Sequence, residues 1–399
     1  MNLQHENILT FILAGGKGNR LYPLTRHRSK PAVHFAARFR IIDFVLSSCI
    51  NSGIRQVFVL TQTKSFSLEQ HLRRSWNFLA AQLDEFIAAV PAQQRISEKW
   101  YQGTADAIFQ NLHLIQDRHP EHIIILSGDH IYSMDYNELF RYHIESESDL
   151  TVSVMPIKKA DASQFGVLTM DDDHRITSFI EKPEDPALIP GEGDECFINM
   201  GIYLFRTNSM VRILAKDARE ATSHDFGMNI IPGMLEKYKV SGFDFKKSRF
   251  GHYWRDVGTI RNYFDANMEF LEQLGTNLIC TPDWPIGSIG LRLPPTYMGG
   301  INKVTIENST VDIGSKLVSC KIKNSLIGRY VHVGEGSIIE NSIIMSRASI
   351  GENCIVRNAI FDDGVQIPSN TQIGVDADAD KDRFFMSDGI AILPKQFQL

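Results

Sequence analysis

The feature that most constrains the fold is a short repeat in the C-terminal part of the chain. Apolar residues recur there six positions apart, as Ile327, Val333 and Ile339 do. A β-branched residue also directly precedes glycine at Ile313-Gly314, Ile327-Gly328, Val333-Gly334, Ile350-Gly351 and Ile373-Gly374. A six-residue apolar period with turn residues between is typical of a β-helix, in which each repeat supplies one face of a triangular coil. The pattern predicts a left-handed parallel β-helix, with an ordinary run of β-hairpins as the alternative.

A change in composition precedes this repeat. Gly, Pro and Trp cluster in the segments Thr281-Pro282-Asp283-Trp284-Pro285 and Leu293-Pro294-Pro295, as is typical of a linker. We therefore predict an N-terminal catalytic domain at residues 1–275, a linker at 276–300 and the β-helix at 301–399. A repeat cannot bury its apolar edge alone, so the coils must stack, and exposed edges favour association. We expect the β-helix to serve oligomerisation and regulation.

The N-terminal part alternates apolar strands with amphipathic helices. The predicted strands include Ile8–Leu13, Gln56–Leu60 and Glu121–Leu126. The predicted helices include Phe39–Ile50, Ser67–Ala89 and Ala105–Arg118. A helix between two buried strands indicates a βαβ unit with a parallel sheet. The prediction for this part is an α/β fold with a doubly wound, mostly parallel nucleotide-binding sheet.

A glycine-rich loop follows the first predicted strand. Its sequence is Ala14-Gly15-Gly16-Lys17-Gly18-Asn19, and Arg20 and Lys30 follow it. Clustered glycines let backbone N–H groups approach a ligand, and such a loop at a strand's carboxyl end suits a polyphosphate. The spacing matches neither the dinucleotide fingerprint G-x-G-x-x-G nor the P-loop. We predict a different kind of nucleotide loop, and an incidental surface turn is the alternative.

Two aspartates are candidates for holding a metal ion. Asp129 follows an apolar strand and a glycine, which places it at the carboxyl edge of the sheet, where such folds bind ligands. Asp256 lies in the segment YWRDVGT. Two carboxylates that converge from distant parts of a chain suit Mg²⁺, which prefers oxygen ligands. In the alternative interpretation each aspartate caps a turn beside glycine.

Composition excludes several classes of function. The 399 residues are 43% hydrophobic, enough for two domains with a sizeable core. A net charge of −6 argues against a nucleic-acid binder, which needs a basic surface. Five cysteines without a C-x-x-C pair indicate neither disulfides nor zinc and favour a reducing cytoplasm. No apolar run reaches the length of a membrane span, and the first six residues lack the basic region of a secretory signal.

Long motifs in the chain resemble those of a known family. The run GGKGNRL followed by KPAV is similar to the signature of sugar-1-phosphate nucleotidyltransferases. The segments HFAARFRIIDF, WYQGTADA and YWRDVGT resemble the ADP-glucose pyrophosphorylase branch. The resemblance implies a glycosyltransferase-A-like catalytic domain that makes ADP-glucose and diphosphate from ATP and glucose 1-phosphate, for glycogen synthesis. It also implies a Mg²⁺ cofactor and a homotetramer.

The resemblance assigns roles to individual residues. It makes Arg20, Lys30, Asp129 and Asp256 catalytic, with the two aspartates holding the metal. The residues implied for nucleotide binding are Leu13, Ala14, Gly15, Gly16, Gly18, Gln62, Gly103 and Thr104. The residues implied for glucose 1-phosphate are Tyr101, Gly166, Glu181, Lys182 and Asn199. In this assignment Lys182 binds the phosphate and Glu181 the sugar hydroxyls; a solvated surface lysine is the alternative for Lys182.

The sequence departs from the family pattern at two places. Asn199 stands where Ser is usual, although an amide still offers a donor and an acceptor. Ala36-Ala37 replaces the common Gly-Gly in a segment that the resemblance associates with effectors. Arg38 and Arg40 keep positive charge there, so a small anionic effector is expected.

Three other functions remain open. A related enzyme that makes UDP-, dTDP- or GDP-sugars shares the glycine loop. A non-catalytic regulatory subunit of the same fold should have lost a charged residue of the site, whereas this chain keeps all five: Arg20, Lys30, Asp129, Lys182 and Asp256. A purely structural β-helix protein would leave these charged residues unexplained.

Overall fold

The structure is a computed structural model that describes residues 7–95, 99–185, 189, 193–251, 253–272, 281–288, 290 and 292–399. Four features of the sequence analysis lie outside these residues: the domain boundary at residue 275, residues 1–6, part of the predicted linker, and Cys280.

Strands and helices alternate through most of the N-terminal part. The strands are β1 Ile8–Leu13, β2 His34–Phe35, β3 Phe39–Arg40, β4 Gln56–Thr61, β5 Phe86–Pro91, β6 His122–Ser127, β7 His130–Tyr132, β8 Leu150–Lys158, β9 Gly166–Met170, β10 Ile176–Glu181, β11 Glu195–Arg206, β12 Val240–Asp244 and β13 Trp254–Asp256. The helices are α1 Ile41–Asn51, α2 Phe66–Ser75, α3 Thr104–Phe109, α4 Leu112–Arg118, α5 Tyr136–Glu145, α6 Thr207–Asp217, α7 Ile231–Met234 and α8 Ile260–Met268. Short 3-10 turns include Asn19–Leu21 and Lys30–Ala32.

The main sheet of the described residues has nine strands. Its central order is β10-β9-β11-β6-β1-β4-β5, and β8 joins β11 and β12. Strand β1 is parallel to both β4 and β6, so the carboxyl ends of these three strands meet at one edge. The α/β class is confirmed, but the sheet is mixed. Strand β11 runs antiparallel to β6, β8 and β9.

Helices cover both faces of this sheet. Apolar residues of α1, α2 and α5 pack on one face, and those of α3, α4, α6 and α7 pack on the other. Strands buried on both faces are nearly continuous in apolar residues, as Ile123 to Leu126 are. This is the doubly wound arrangement that the sequence predicts.

Two predicted helices differ from the structure. The predicted helix Ser67–Ala89 is wrong in its second half: α2 ends at Ser75, and residues from Phe86 form β5, which pairs in parallel with β4. Tertiary pairing outweighs local propensity here. The predicted helix Ala105–Arg118 is two helices, α3 and α4. They separate near Asn111, whose side-chain amide donates to the carbonyl oxygen of Ala107 at 2.8 Å.

The C-terminal part is a three-sided parallel β-helix. Its three sheets are ordered β14-β17-β20-β23-β26, β15-β18-β21-β24-β27 and β16-β19-β22-β25-β29-β28. The strands are β14 Tyr297–Gly299, β15 Thr305–Glu307, β16 Thr310–Val311, β17 Lys316–Val318, β18 Lys321–Lys323, β19 Leu326–Ile327, β20 His332–Val333, β21 Ile338–Glu340, β22 Ile343–Ile344, β23 Ser349–Ile350, β24 Ile355–Arg357, β25 Ala359–Phe361, β26 Gln366–Ile367, β27 Gln372–Ile373, β28 Phe385–Ser387 and β29 Ile390–Leu393, with α9 at Ala377–Lys381. Thr305 pairs with Lys321, and Lys321 pairs with Ile338. A coil therefore takes 16 or 17 residues, which explains why the six-residue period drifts.

The two parts share one apolar core. Val33 and Phe35 of the N-terminal part belong to the same buried cluster as Leu326, Ile343 and Ile360 of the β-helix. The segment that follows the glycine loop therefore packs directly against the β-helix.

Candidate active site

A cavity of about 610 Å³ opens at the carboxyl edge of β1, β4 and β6. Most of the predicted nucleotide-binding and catalytic residues line it. The predicted residues in its lining are Leu13, Ala14, Gly15, Gly16, Gly18, Arg20, Lys30, Gln62, Tyr101, Gly103, Thr104 and Asp129. Residues far apart in the chain meet here because parallel strands end at the same edge of the sheet.

The glycine loop connects β1 to the 3-10 turn Asn19–Leu21. Gly18 adopts a φ of 62°, a left-handed conformation that costs glycine little. Its carbonyl oxygen accepts a hydrogen bond from the Thr25 hydroxyl at 2.8 Å, which fixes the turn. A Cβ on Gly16 would meet nothing within 4 Å, so the backbone there faces open space. The loop therefore presents backbone to the cavity.

Lys30 lies between the two predicted metal ligands. Its Nζ is 2.8 Å from Asp256 Oδ1 and 3.0 Å from Asp129 Oδ2. Strand β13 pairs antiparallel with β7, and this pairing brings Asp256 opposite His130, the residue next to Asp129. The structure thus brings together three charged residues that are separated by up to 226 positions.

Lys30 and Asp129 stabilise each other's charged forms. Burial alone would lower the pKa of Lys30, but the charges of Asp129 and Asp256 more than offset this effect and raise it. Burial would raise the pKa of Asp129, but Lys30, His130 and a hydrogen bond from Ser127 hold that pKa well below its usual range. Both groups are charged across the neutral range. Two carboxylates that converge on one point are a donor set that fits Mg²⁺.

Arg20 and Gly258 lie at the open side of the cavity. Arg20 donates from Nη1 to Gln164 Oε1 at 3.0 Å and is otherwise exposed. Its Nη2 would lie 3.1 Å from a Cβ on Gly258, so the guanidinium passes close over the Asp256 to Gly258 turn.

The turn at Gly103 and Thr104 is supported by a segment from the other half of the domain. A Cβ on Gly103 would lie 2.2 Å from the carbonyl oxygen of His224, so only glycine fits this approach. The Thr104 hydroxyl donates to Asp225 Oδ2 at 2.9 Å. Gln62 Oε1 accepts from the backbone N–H of Tyr101 at 2.8 Å and holds the opposite wall.

Of the five residues predicted for the sugar phosphate, Tyr101 is part of the cavity lining. The other four lie beside the cavity, outside its lining: Gly166, Glu181, Lys182 and Asn199. Glu181 pairs with Lys182 at 2.8 Å, and the Lys182 side chain is 57% exposed. A Cβ on Gly227 would lie 2.4 Å from Glu181 Oε2. The Asp225 to Gly227 turn therefore lies between the cavity and Glu181. Gly166, in register with Glu181 on the neighbouring strand, belongs to this group, and the amide of Asn199 donates to the Tyr203 hydroxyl at 2.8 Å.

Arg38 and Arg40 lie away from the cavity, at the junction of the two domains. Arg38 is 47% exposed and lies 3.4 Å from Asp312 of the β-helix. The Arg40 guanidinium is bonded internally, to the carbonyl oxygen of Ala32 at 3.1 Å and to the Ser67 hydroxyl at 2.9 Å. Burial, and then the charge of Arg28, lowers the pKa of Arg40 to about 10.

Several residues of the site escaped the sequence analysis. Ser127, Asp225 and Gly258 line the cavity, and the first two hydrogen-bond to predicted site residues. Ser127 directly precedes Gly128-Asp129 at a strand end, which is a signal that could have found it. The bond between Asp225 and Thr104 joins residues 121 positions apart, which no local pattern records.

The fold and the site together define a nucleotidyl transferase with a repeat domain. A family model described as nucleotidyl transferase matches residues 9–273. A model described as a GlmU-like C-terminal hexapeptide matches residues 298–393, in agreement with a left-handed β-helix.

Full-length relatives narrow the class. The chain is 44% identical to a glucose-1-phosphate adenylyltransferase of Methylococcus capsulatus, over 96% of this chain and 92% of the relative. It is also 44% identical to the enzyme of that name from Thermus thermophilus, over 98% and 99%. A Vibrio cholerae protein named glucose-1-phosphate adenylyltransferase 2 is 40% identical, over 98% and 99%. The chain belongs to the glucose-1-phosphate adenylyltransferase family.

Proposed function

We propose that this protein transfers the adenylyl group of ATP to glucose 1-phosphate, giving ADP-glucose and diphosphate, the glucosyl donor step of glycogen synthesis. The observation that carries the proposal is the nucleotide-sized cavity whose glycine loop, Lys30 and Asp129 meet at one sheet edge. The names of the relatives support the choice of adenylyl transfer and of glucose 1-phosphate.

The proposed reaction is an in-line displacement. A phosphate oxygen of glucose 1-phosphate attacks the α-phosphorus of ATP; the new O–P bond forms as the bond from the α-phosphorus to the bridging oxygen breaks, and diphosphate leaves. Such transfer asks a protein mainly for alignment and charge neutralisation. We assign the β- and γ-phosphates to Arg20, Lys30 and the backbone of the glycine loop. Asp129 and Asp256 would hold a divalent metal, proposed as Mg²⁺, which offsets the charge of the leaving diphosphate.

The sugar phosphate is assigned to the neighbouring group of residues. Lys182 is exposed and is positioned by Glu181, so its ammonium is available to a phosphate. Glu181 and Asn199 offer hydrogen-bonding groups for sugar hydroxyls. A Cβ on Gly227 would lie 2.4 Å from Glu181 Oε2, and Asp225 of the same turn lines the cavity. This proximity supports the proposal that the two substrates bind side by side.

A diphosphate-release assay tests the proposal. The purified chain is given Mg²⁺, glucose 1-phosphate and, in separate reactions, ATP, UTP, dTTP or GTP. We expect ATP to give the highest kcat/KM. Preference for another nucleotide would assign the chain to a different sugar-nucleotide synthesis, and no release with any nucleotide would favour a regulatory subunit.

Assembly and regulation form a second part of the proposal. We propose a homotetramer, for which light scattering should give about four times the 45.2 kDa chain mass. A small anionic effector would have Arg38 as its accessible contact, because Arg40 is already bonded to Ala32 and Ser67.

A reducing cytoplasm fits Cys49, Cys196, Cys320 and Cys354, which are buried and unpaired among the described residues. No helix in the described ranges is both long and apolar enough to span a membrane.

A further inference from the structure

Four buried polar side chains meet where the N-terminal domain contacts the β-helix. We call them the junction cluster: Arg28 and His34 of the N-terminal domain, and Asp362 and Asp363 of the β-helix. Arg28 donates from Nη2 to Asp362 Oδ1, and its Nη1 lies 3.9 Å from Asp363 Oδ2. The side chains of Arg28 and Asp362 are only 4% and 2% exposed. His34 Nδ1 lies 3.6 Å from Asp363 Oδ1.

The Arg28 ion pair is held in one geometry. Arg28 Nε also donates to the carbonyl oxygen of Leu24 at 3.1 Å, and Asp362 Oδ1 accepts from the backbone N–H of Asp363 at 2.6 Å. Burial would lower the pKa of Arg28, but Asp362 and Asp363 raise it, so the guanidinium stays charged. A buried ion pair adds little net stability over apolar residues of the same size, because desolvation offsets attraction. The ion pair can instead fix the position of the chain segment that carries Arg28.

A fixed Arg28 also restrains the position of Lys30. Arg28 precedes Lys30 by two residues, so their Cα atoms are at most about 7 Å apart. Lys30 begins a 3-10 turn that ends at Ala32, and the carbonyl oxygen of Ala32 is bonded to Arg40. The turn that carries Lys30 is therefore anchored on one side to the β-helix and on the other to the segment before α1.

Other contacts tie the same stretch of chain to the β-helix. The Tyr22 ring packs edge-on against Phe385, with ring centres 5.4 Å apart. A Cβ on Gly328 would lie 3.0 Å from the carbonyl oxygen of Ala37. The β-helix thus contacts this segment before and after Lys30.

We infer that the junction cluster positions Lys30 for the reaction, so that Asp362 and Asp363 of the β-helix act as positioning residues for the active site. This inference rests on the proposed function, since it concerns the lysine assigned to the ATP phosphates. It gives the β-helix a part in catalysis beyond assembly.

A metal ion in the junction cluster is the competing interpretation. Ligand atoms of His34, Asp362 and Asp363 lie within 4.8 Å of one another, and His34 Nδ1 and Asp363 Oδ1 have no hydrogen-bond partner among the described residues. However, Arg28 is paired with Asp362, and Arg347 lies 3.2 Å from Asp363 Oδ2. Both carboxylates already face a guanidinium, which leaves a divalent cation no uncompensated charge to bind.

The test compares Asp362→Asn and Arg28→Lys with the wild-type enzyme in the diphosphate-release assay. Misplacing a catalytic group by about 1 Å can cost on the order of a hundredfold in rate. We expect kcat/KM for ATP to fall at least tenfold in both variants, with a rise in KM for ATP and in the Mg²⁺ concentration for half-maximal rate. KM for glucose 1-phosphate should stay within twofold, because Lys182 is outside the junction cluster. Loss of folded protein would lower kcat alone.

Two further variants separate positioning from stability. Glu340→Gln breaks the exposed pair with Arg357 on the same β-helix and should change neither KM nor the Mg²⁺ requirement. The double variant Arg28→Met, Asp362→Leu removes both charges and should regain thermal stability while its KM for ATP stays high. If the double variant or both single variants show wild-type KM for ATP, the inference is overturned and the proposed function stands. If the wild type releases no diphosphate with any nucleotide, both the inference and the proposed function are overturned.

Discussion

Lys30 is paired with two carboxylates, so its removal should affect stability in a pH-dependent way. Asp129 has a depressed pKa in the folded state, and this adds stability above about pH 3.9, its unfolded value, that is lost as the pH falls through the folded value. Lys30→Met removes the largest of the charges that lower this pKa, while His130 and Ser127 remain. We expect the free energy of unfolding at pH 7 to fall by about 1–3 kcal/mol, less than for a fully buried pair because the Asp129 side chain is 32% exposed. Urea titration without Mg²⁺ measures it.

The same titration at about pH 3 should show a smaller deficit for Lys30→Met, because Asp129 then binds a proton in the unfolded chain. Lys17→Met is the matched control, since Lys17 lies in the same loop and is exposed. Equal deficits at pH 7 and pH 3 would show that lost packing, and not lost charge, explains the effect.

Asp129→Asn tests the metal assignment. An amide keeps the shape of the side chain but loses the negative charge that a divalent cation needs. We expect kcat to fall on the order of a hundredfold or more, since removing one electrostatic contact to the transition state has about this cost. Asp135→Asn is a suitable control, because Asp135 caps α5 outside the cavity lining. Near-normal turnover of Asp129→Asn with Mg²⁺ would place the metal elsewhere.

Lys182→Ala tests whether the two substrates have separate contacts. Lys182 is beside Glu181 and outside the nucleotide cavity, so we expect KM for glucose 1-phosphate to rise at least tenfold and KM for ATP to change less than twofold. Lys247→Ala, which removes another exposed lysine paired with a carboxylate, is the control. Equal increases in both KM values would refute the assignment.

At the scale of elements, the β-helix depends on the apolar side chains that point into its coils. Neighbouring residues of β21 provide a matched pair, because Ile339 is fully buried and Ile338 is only partly buried. We expect Ile339→Ala to lower the free energy of unfolding by about 2–5 kcal/mol, since it leaves a cavity. Ile338→Ala should cost under about 1 kcal/mol. Urea titration measures both losses of unfolding free energy. Equal losses would contradict the assignment of Ile339 to the interior of the coil and Ile338 to its surface.

Local patterns were sufficient for some elements and insufficient for others. The strand before the glycine loop and the repeats of the β-helix are visible because their signal is a run or a period within the sequence. The predicted helix Ser67–Ala89 covers the first four residues of the strand Phe86–Pro91, because the pairing of this strand with β4 is a tertiary contact that no local pattern records. The mixed sheet was missed for the same reason: the direction of β11 depends on where the chain returns.

The active site and the junction cluster also show the limit of what local sequence patterns can predict. Sequence patterns made Asp129 and Asp256 candidates and the resemblance gave them the metal role, and the structure adds how Lys30 holds them together. Arg28 and Asp362 are 334 residues apart, and no sequence motif near either residue indicates that they pair. Contacts between domains are the part of this molecule that sequence patterns could not supply.

At the scale of the whole molecule, the shared core predicts that the N-terminal domain does not stand alone. Removing the β-helix would expose Val33 and Phe35, which pack with Leu326 and Ile343, and would leave Arg28 as an unpaired charge. Large exposed apolar patches and unpaired buried charges both disfavour a stable monomeric fold. We expect a chain of residues 1–296 to be aggregated and inactive on gel filtration and in the diphosphate-release assay. The last residues are also bonded to the β-helix, since the backbone N–H of Gln396 donates to the carbonyl oxygen of Asp363 at 2.8 Å, so the full-length chain is the control. A monodisperse, active 1–296 fragment would show that the β-helix is dispensable for both the fold and the chemistry.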